Sequence, residues 1–151
     1  MEIRPAVPDD VAAVERLTRA AYSVHIPAVG REPAPMTADH AALVAASEVR
    51  VAEVDGRIAG ALVTRPQPGA LLLESVAVDP AFQGRGIGRA LIADAEAQAS
   101  ALGLHAVELY TNAAMTANLA LYPRLGYEEV ERRTEDGFDR VFFRKGVPPP
   151  R

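Results

Sequence analysis

The stretch VAVDPAFQGRGIGRALI, Val76 to Ile92, sets the tightest limit on the fold. An alternating apolar run stops at Asp79-Pro80, glycines follow at alternate positions (Gly84, Gly86, Gly88), and Ile87, Leu91 and Ile92 then recur at helical spacing. A strand that runs through a glycine turn straight into a helix leaves several backbone N–H groups unpaired. It also aims the positive end of the helix dipole at whatever lies in front. That combination is a seat for phosphate. Glycine serves where a β-carbon would hold the anion off the backbone, and Arg85 and Arg89 add positive charge at the rim. Two common phosphate loops fail on spacing. A Walker loop needs a lysine and a hydroxyl residue that RGIGRA after Gly84 does not supply, and a dinucleotide loop needs a third glycine where Arg89 stands.

The rest of the chain alternates between strand and helix patterns. Met1 to Val7 alternates like a strand, and PDD then offers a proline and two capping aspartates before Val11, Val14, Leu17 and Ala21 at helical spacing. Tyr22 to Met36 carries three prolines and one glycine, so it is expected to be a long irregular loop. A short helix is expected over Thr37 to Ala46, capped by Thr37 or Asp39. Strands over Val49–Val54 and Ile58–Thr64 flank Asp55-Gly56, a tight hairpin signal, and Ala70–Val78 reads as a third. A helix over Gly86–Leu102, a strand over Ala106–Thr111, a helix over Ala114–Arg124 and a hairpin around Asp136-Gly137 complete an α/β sheet with helices packed on it.

Composition removes several function classes. The chain has 151 residues, 49% of them hydrophobic, which suits one compact domain over residues 1–146 with a flexible tail at 147–151. A net charge of −4 supplies no global basic field, so neither nucleic acid nor a membrane is an expected partner. No cysteine is present, which excludes disulfides, thiolate metal sites and a cysteine nucleophile. His25, His40 and His105 lack metal-ligand spacing, so no metal is expected. The start, MEIRPAVPDD, has no basic region followed by an apolar stretch, and a cytoplasmic location is the expectation.

VAVDPAFQGRGIGRAL resembles the acetyl-CoA signature of the GNAT superfamily of N-acetyltransferases, [Q/R]-x-x-G-x-[G/A], which Gln83, Gly86 and Gly88 fill. A second element, TNAAMTANLALYPRLGYEEV, is similar to the family's L-Y-x-x-x-G-[F/Y] ending, with Tyr122 ahead of Leu125-Gly126-Tyr127. The resemblance implies the GNAT (acyl-CoA N-acyltransferase) fold, a mixed sheet of about six to seven strands flanked by about four helices. It implies acetyl-CoA as co-substrate, its pantetheine arm paired with the backbone of Val76 and Val78 and its pyrophosphate held by Gln83, Gly84, Arg85, Gly86, Ile87, Gly88 and Arg89. Direct attack by an acceptor amine then accounts for a chain without a cysteine nucleophile. The alternatives are a protein acceptor (an amino terminus or lysine) and an acetyl-CoA sensor without turnover.

Carried over residue by residue, the family's tyrosine falls on Tyr122, which would protonate the leaving thiolate, while the Val78 N–H would donate to the oxyanion. Glu74 stands two residues before Val76 on one strand, so both are expected on one face, and Glu74 is the candidate base with Glu108 as competitor. Where the family often has asparagine seven residues before the tyrosine, this chain has Met115, and Asn118 offers a cofactor contact instead. In the family the segment around the first two helices lies over the acceptor. Here that segment would place Tyr22, His25 and Glu32 around a small-molecule amine, with Glu32 meeting its positive charge. The last hairpin, with VFFRK, offers an edge strand for a homodimer.

Overall fold

Both Asp-Gly dipeptides close hairpins, with Asp55 and Gly56 at φ 50° and 77° and Asp136 and Gly137 at 50° and 79°. Positive φ at both central residues is the turn whose twist matches the strands it joins. The computed structural model describes residues 1–150. Among them, β1 (Glu2–Pro5), β2 (Val49–Val54), β3 (Arg57–Gln67), β4 (Ala70–Val78), β5 (Ala106–Asn112), β6 (Glu128–Glu135) and β7 (Phe138–Gly146) form one seven-stranded sheet in the order β1-β2-β3-β4-β5-β7-β6. Every neighbouring pair is antiparallel except β4 with β5.

Five helices cover the sheet: α1 (Val11–Ser23), α2 (Ile26–Val29), α3 (His40–Ala45), α4 (Ile87–Ala101) and α5 (Thr116–Arg124). Val14 and Leu17 of α1 join Val44 of α3 over Val51, Ala61, Val63 and Ala77 on one face. On the other, Ile87, Leu91, Ile92 and Ala95 of α4 and Tyr122 of α5 pack on Leu62, Leu71, Leu73, Val107 and Leu109. Burying each such aliphatic side chain contributes roughly 1.5–3 kcal/mol, which makes this three-layer arrangement the stable one. Gly60 lets α4 sit close to β3: a Cβ there would stand 2.9 Å from Leu91 Cδ1 and 3.1 Å from the Ala77 carbonyl.

Several expectations are corrected. Asp10 does not cap α1 through its side chain. Its carboxylate accepts from the Val7 N–H (2.8 Å) and from Arg4 (2.8 and 3.2 Å), which staples β1 to the chain entering α1. The Arg4 hydrogen bond, against a partial desolvation, holds the Asp10 carboxyl below its ordinary range. Asp39, not Thr37, caps α3, accepting from the Ala42 N–H at 3.0 Å. The Tyr22–Met36 segment is less irregular than its prolines suggest, because Pro27 sits in the first turn of α2, where its missing N–H costs nothing. Within the last hairpin, β7, which carries VFFRK, is interior between β5 and β6. The hairpin's edge strand is β6, EEVERRTE, at the opposite side of the sheet from the other edge, β1, and its charges discourage pairing with another chain. Beyond β7, the Val147 N–H donates to the His105 carbonyl (2.9 Å) and Ser100 to the Pro148 carbonyl (2.7 Å), so the expected tail begins anchored, and Arg151 lies outside the described residues. No described helix is long and apolar enough to cross a membrane.

Candidate active site

β4 and β5 pair only from Ala70–Leu73 to Ala106–Leu109. Past that point β4 follows β3 to Val78 and β5 follows β7 to Asn112, so the two strands splay and leave a gap. The Asp79 N–H donates to the Ala59 carbonyl at 2.8 Å, and alternation along the strand therefore turns the peptide groups of Val76 and Val78 away from β3, into the gap. The Tyr22 hydroxyl reports this directly, donating to the Val76 carbonyl at 3.0 Å. An unpaired stretch of strand inside a sheet is a place for an extended ligand to add itself.

The glycine loop closes one end of the gap. Asp79 caps a 3-10 turn over Pro80–Phe82, accepting from the Ala81 N–H at 2.9 Å, and Phe82 anchors the turn in the core. Gly84 and Gly86 have φ of 81° and 78°, and no atom lies within 4 Å of where their Cβ would stand. Both glycines thus serve a left-handed backbone and keep open space in front of it. The first intrahelical bond of α4 runs from the Ala90 N–H to the Gly86 carbonyl, leaving the N–H groups of Ile87, Gly88 and Arg89 outside the helical ladder. A chamber of about 390 Å³ faces them, lined by Val76, Val78, Gln83, Gly84, Gly86, Ile87, Gly88, Arg89 and Asn118. The loop and chamber suit a pyrophosphate on an extended arm. Arg85 is not part of this lining and lies over the Phe82 ring at 5.2 Å.

A second chamber of about 50 Å³ lies beyond, under Pro33, Ala34 and Pro35. Tyr22, Val76, Met115, Asn118 and Tyr122 line both chambers, so the two meet at these residues. Tyr122 is 5% exposed, and its ring packs on Tyr127 and Phe143, each at 5.7 Å between centroids. Its hydroxyl has no hydrogen-bond partner among the described residues, and burial pushes the phenol up to about 12. Burial likewise raises the Tyr22 phenol. Asn118 Nδ2 donates to Thr111 Oγ1 at 3.1 Å, which fixes α5 against β5 at the junction.

Glu74 reaches this site by a different route from the one expected. Val63 pairs with Ser75 and Thr64 with Leu73, so Glu74 is the extra residue of a β-bulge. The bulge resets the alternation: Leu71, Leu73, Val76 and Val78 all pack toward α4, whereas Glu74 turns to the α1/α3 side and pairs with Arg65 at 3.3 Å. It nevertheless lines the second chamber. Glu108 does not line either chamber and pairs with Arg144 at 2.9 Å. His25 lines the large chamber beside Tyr22, with ring centroids 6.2 Å apart. Glu32 lies outside both chambers, exposed, 3.8 Å from Arg19. The charge in its segment that matters is Arg31, stacked 3.6 Å over the Phe138 ring and donating to the Asp136 carbonyl, which pins the segment to the last hairpin.

Sequence reasoning missed Tyr110, Asn112, Phe138 and Arg140, all of which line the small chamber. Asn112 and Arg140 are cross-strand partners, as are Tyr110 and Phe142. The period-two spacing Tyr110/Asn112 and Phe138/Arg140 was the available signal, once β7 is placed beside β5.

Residues 12–127 match the family model for the acetyltransferase (GNAT) family. An uncharacterized N-acetyltransferase of Methanocaldococcus jannaschii is 42% identical over 59 residues, 39% of this chain and 26% of that protein. The mycothiol acetyltransferase of Pseudarthrobacter chlorophenolicus is 48% identical over 52 residues, 34% of this chain and 16% of that protein. This chain thus spans about a quarter or less of these curated relatives. Among solved structures, the PaiA N-acetyltransferase of Thermoplasma acidophilum in complex with coenzyme A superposes with a TM-score of 0.81 at 15% identity, covering 97% of this chain and 98% of that one. The ribosomal-protein-S18-alanine N-acetyltransferase of Escherichia coli gives 0.74 at 23%, covering 97% and 93%. These likenesses repeat the architecture of the splayed sheet, and with the family match over most of the sequence they place the chain in the GNAT family of acetyltransferases.

Proposed function

We propose that the protein transfers the acetyl group of acetyl-CoA to a primary amine of a small molecule. One observation carries this reading: the unpaired edge of β4 runs from a glycine cradle to a small chamber, with the Tyr122 phenol at the junction. The cradle fits the co-substrate, because the space where Gly84 and Gly86 lack a Cβ is open and unpaired N–H groups border it. Bound there, acetyl-CoA supplies its acyl carbon as a thioester, and the chain's own residues do the rest.

Val76 and Val78 hold the arm by their peptide groups, and the Val78 N–H donates to the developing oxyanion. The amine enters by the small chamber. Its nitrogen forms the new bond to the acyl carbon, the carbon–sulfur bond breaks, and the amine's proton passes to Glu74 or to solvent. Tyr122 meets the departing sulfur. With its phenol near 12 and a thiol near ~8.5, full proton transfer is uphill, so Tyr122 acts as a neutral hydrogen-bond donor to the thiolate. A small acceptor is favoured by the chamber's size and by the roof that Arg31 ties down.

The test is a thiol-release screen over amines and peptides with purified protein. Release above the hydrolysis background with small amines supports the reading. Tight binding of acetyl-CoA with no amine-dependent release would make the protein a sensor, and release with peptides alone would make it a protein acetyltransferase.

A further inference from the structure

The small chamber contains a cation that the transfer itself does not need. Arg140 lines it with a side chain only 10% exposed. Its Nη1 donates to Glu135 at 3.1 Å and lies 3.8 Å from Asp136, and Glu135 is shared with Arg133 at 2.9 Å. Among the described residues, Nε and Nη2 have no acceptor. No buried side-chain nitrogen or oxygen is sealed off without a partner, so these donors are accessible, and Arg140 lines the chamber. The guanidinium carbon lies 4.3 Å from the centre of the Tyr110 ring and 5.3 Å from that of Phe138, so the head group is flanked by aromatic surface.

We infer that Arg140 receives a carboxylate of the acceptor, making the substrate an amino carboxylate with a small apolar body. This deepens the transferase reading and rests on it. The free Nε and Nη2 of a guanidinium present parallel N–H groups that match one carboxylate in two bonds. A phosphate would bring more negative charge to a site already shared with Glu74 and Glu135 and holding one open cation. Leu73, Tyr110 and Phe138 supply apolar wall, and Glu74 and Tyr122 stand where the amine must arrive. The acceptor is thus bound by opposite ends: carboxylate on the last hairpin, amine at the strand gap.

The experiment measures kcat/KM by thiol release for free amino acids with apolar side chains and for their amides, in the wild type, Arg140→Gln and Arg140→Lys. The free-acid-to-amide ratio removes any general damage to the enzyme. It also cancels the difference in amine basicity when wild type and variant are compared. The ratio should fall on the order of 10- to 100-fold in Arg140→Gln, carried by KM, as expected for loss of a charge-assisted bidentate contact. Arg140→Lys, which keeps the charge beside Glu135 but not the fork, should recover only part of it. Acetylation with the same ratio in all three proteins overturns the carboxylate assignment while leaving the transferase standing. No acetylation of any amine by the wild type removes both.

Discussion

Replacing Tyr122 with phenylalanine separates packing from chemistry more cleanly than most active-site changes. The hydroxyl makes no hydrogen bond among the described residues, and the ring keeps its contacts with Tyr127 and Phe143 at 5.7 Å. Folding therefore loses no bond, and the thermal midpoint should not fall. Catalysis loses the donor that meets the departing thiolate. With the phenol at about 12, complete transfer to a thiolate of pKa ~8.5 would be uphill by about 5 kcal/mol, so the loss is that of a hydrogen bond to a charged group, about 1.5–3 kcal/mol. That corresponds to a fall in the single-turnover rate of roughly 10- to 100-fold, with acetyl-CoA affinity little changed. Because the phenol stays protonated throughout the neutral range, it should add no basic limb to the pH–rate profile below about pH 11. Rapid-quench measurement of acetyl transfer, with calorimetry for the affinity, reads both quantities. A folded variant with the wild-type single-turnover rate would return Tyr122 to a packing role.

Gly88→Glu puts bulk and negative charge into the phosphate cradle at a helical position whose nearest neighbour to a new Cβ, Val78 Cγ2, is 3.6 Å away, so acetyl-CoA binding should disappear from a folded protein; unchanged calorimetric affinity would refute the cradle. Gly60→Ala forces a Cβ to 2.9 Å from Leu91 Cδ1 and 3.1 Å from a carbonyl, and such overpacking should cost about 1–3 kcal/mol in denaturant unfolding; an unchanged midpoint would show that α4 yields freely. Alkaline stability follows from the buried phenols. Burial raises Tyr122 to about 12, and burial with the nearby Glu96 carboxylate raises Tyr127 further, so the folded state holds these protons more tightly than the unfolded chain with its phenols near ~10. The stabilisation is full below pH ~10 and is lost as pH rises through the folded values, about 3 kcal/mol from Tyr122 alone. Tyrosinate absorbance should thus rise together with unfolding, and a titration near pH 10 in the folded protein would contradict it.

Local signals made much of this architecture legible. Asp55-Gly56 and Asp136-Gly137 encode their turns in two residues each, and the spacing of Ile87, Leu91 and Ile92 encodes the buried face of α4. The cleft was legible for the same reason, since Gly84 and Gly86 specify a backbone conformation locally. Glu74 was misplaced because the bulge is fixed by pairing with β3 across the sheet. LLLESVAV contains no glycine or proline to announce the slip. Glu32 and Arg31 are adjacent and equally polar, and only the position of Phe138, more than a hundred residues on, decides which one is fastened to the site. Arg140 escaped notice because β7 follows β6 in the chain yet lies beside β5 in space, a neighbour relation that period-two patterning cannot reveal.

The short pairing between β4 and β5 has a mechanical consequence. Four residues on each strand, Ala70–Leu73 and Ala106–Leu109, form the sheet's one parallel seam, and beyond it the β1–β4 and β5–β7 blocks share no ladder. The sheet is thus a book bound along a narrow spine, its pages held at their outer margin by Arg31 reaching the last hairpin. A ligand arm lying along β4 is a splint across that opening. It contributes stability in proportion to the logarithm of its concentration over its dissociation constant, and the amides nearest the spine should exchange with solvent more slowly once it is in place.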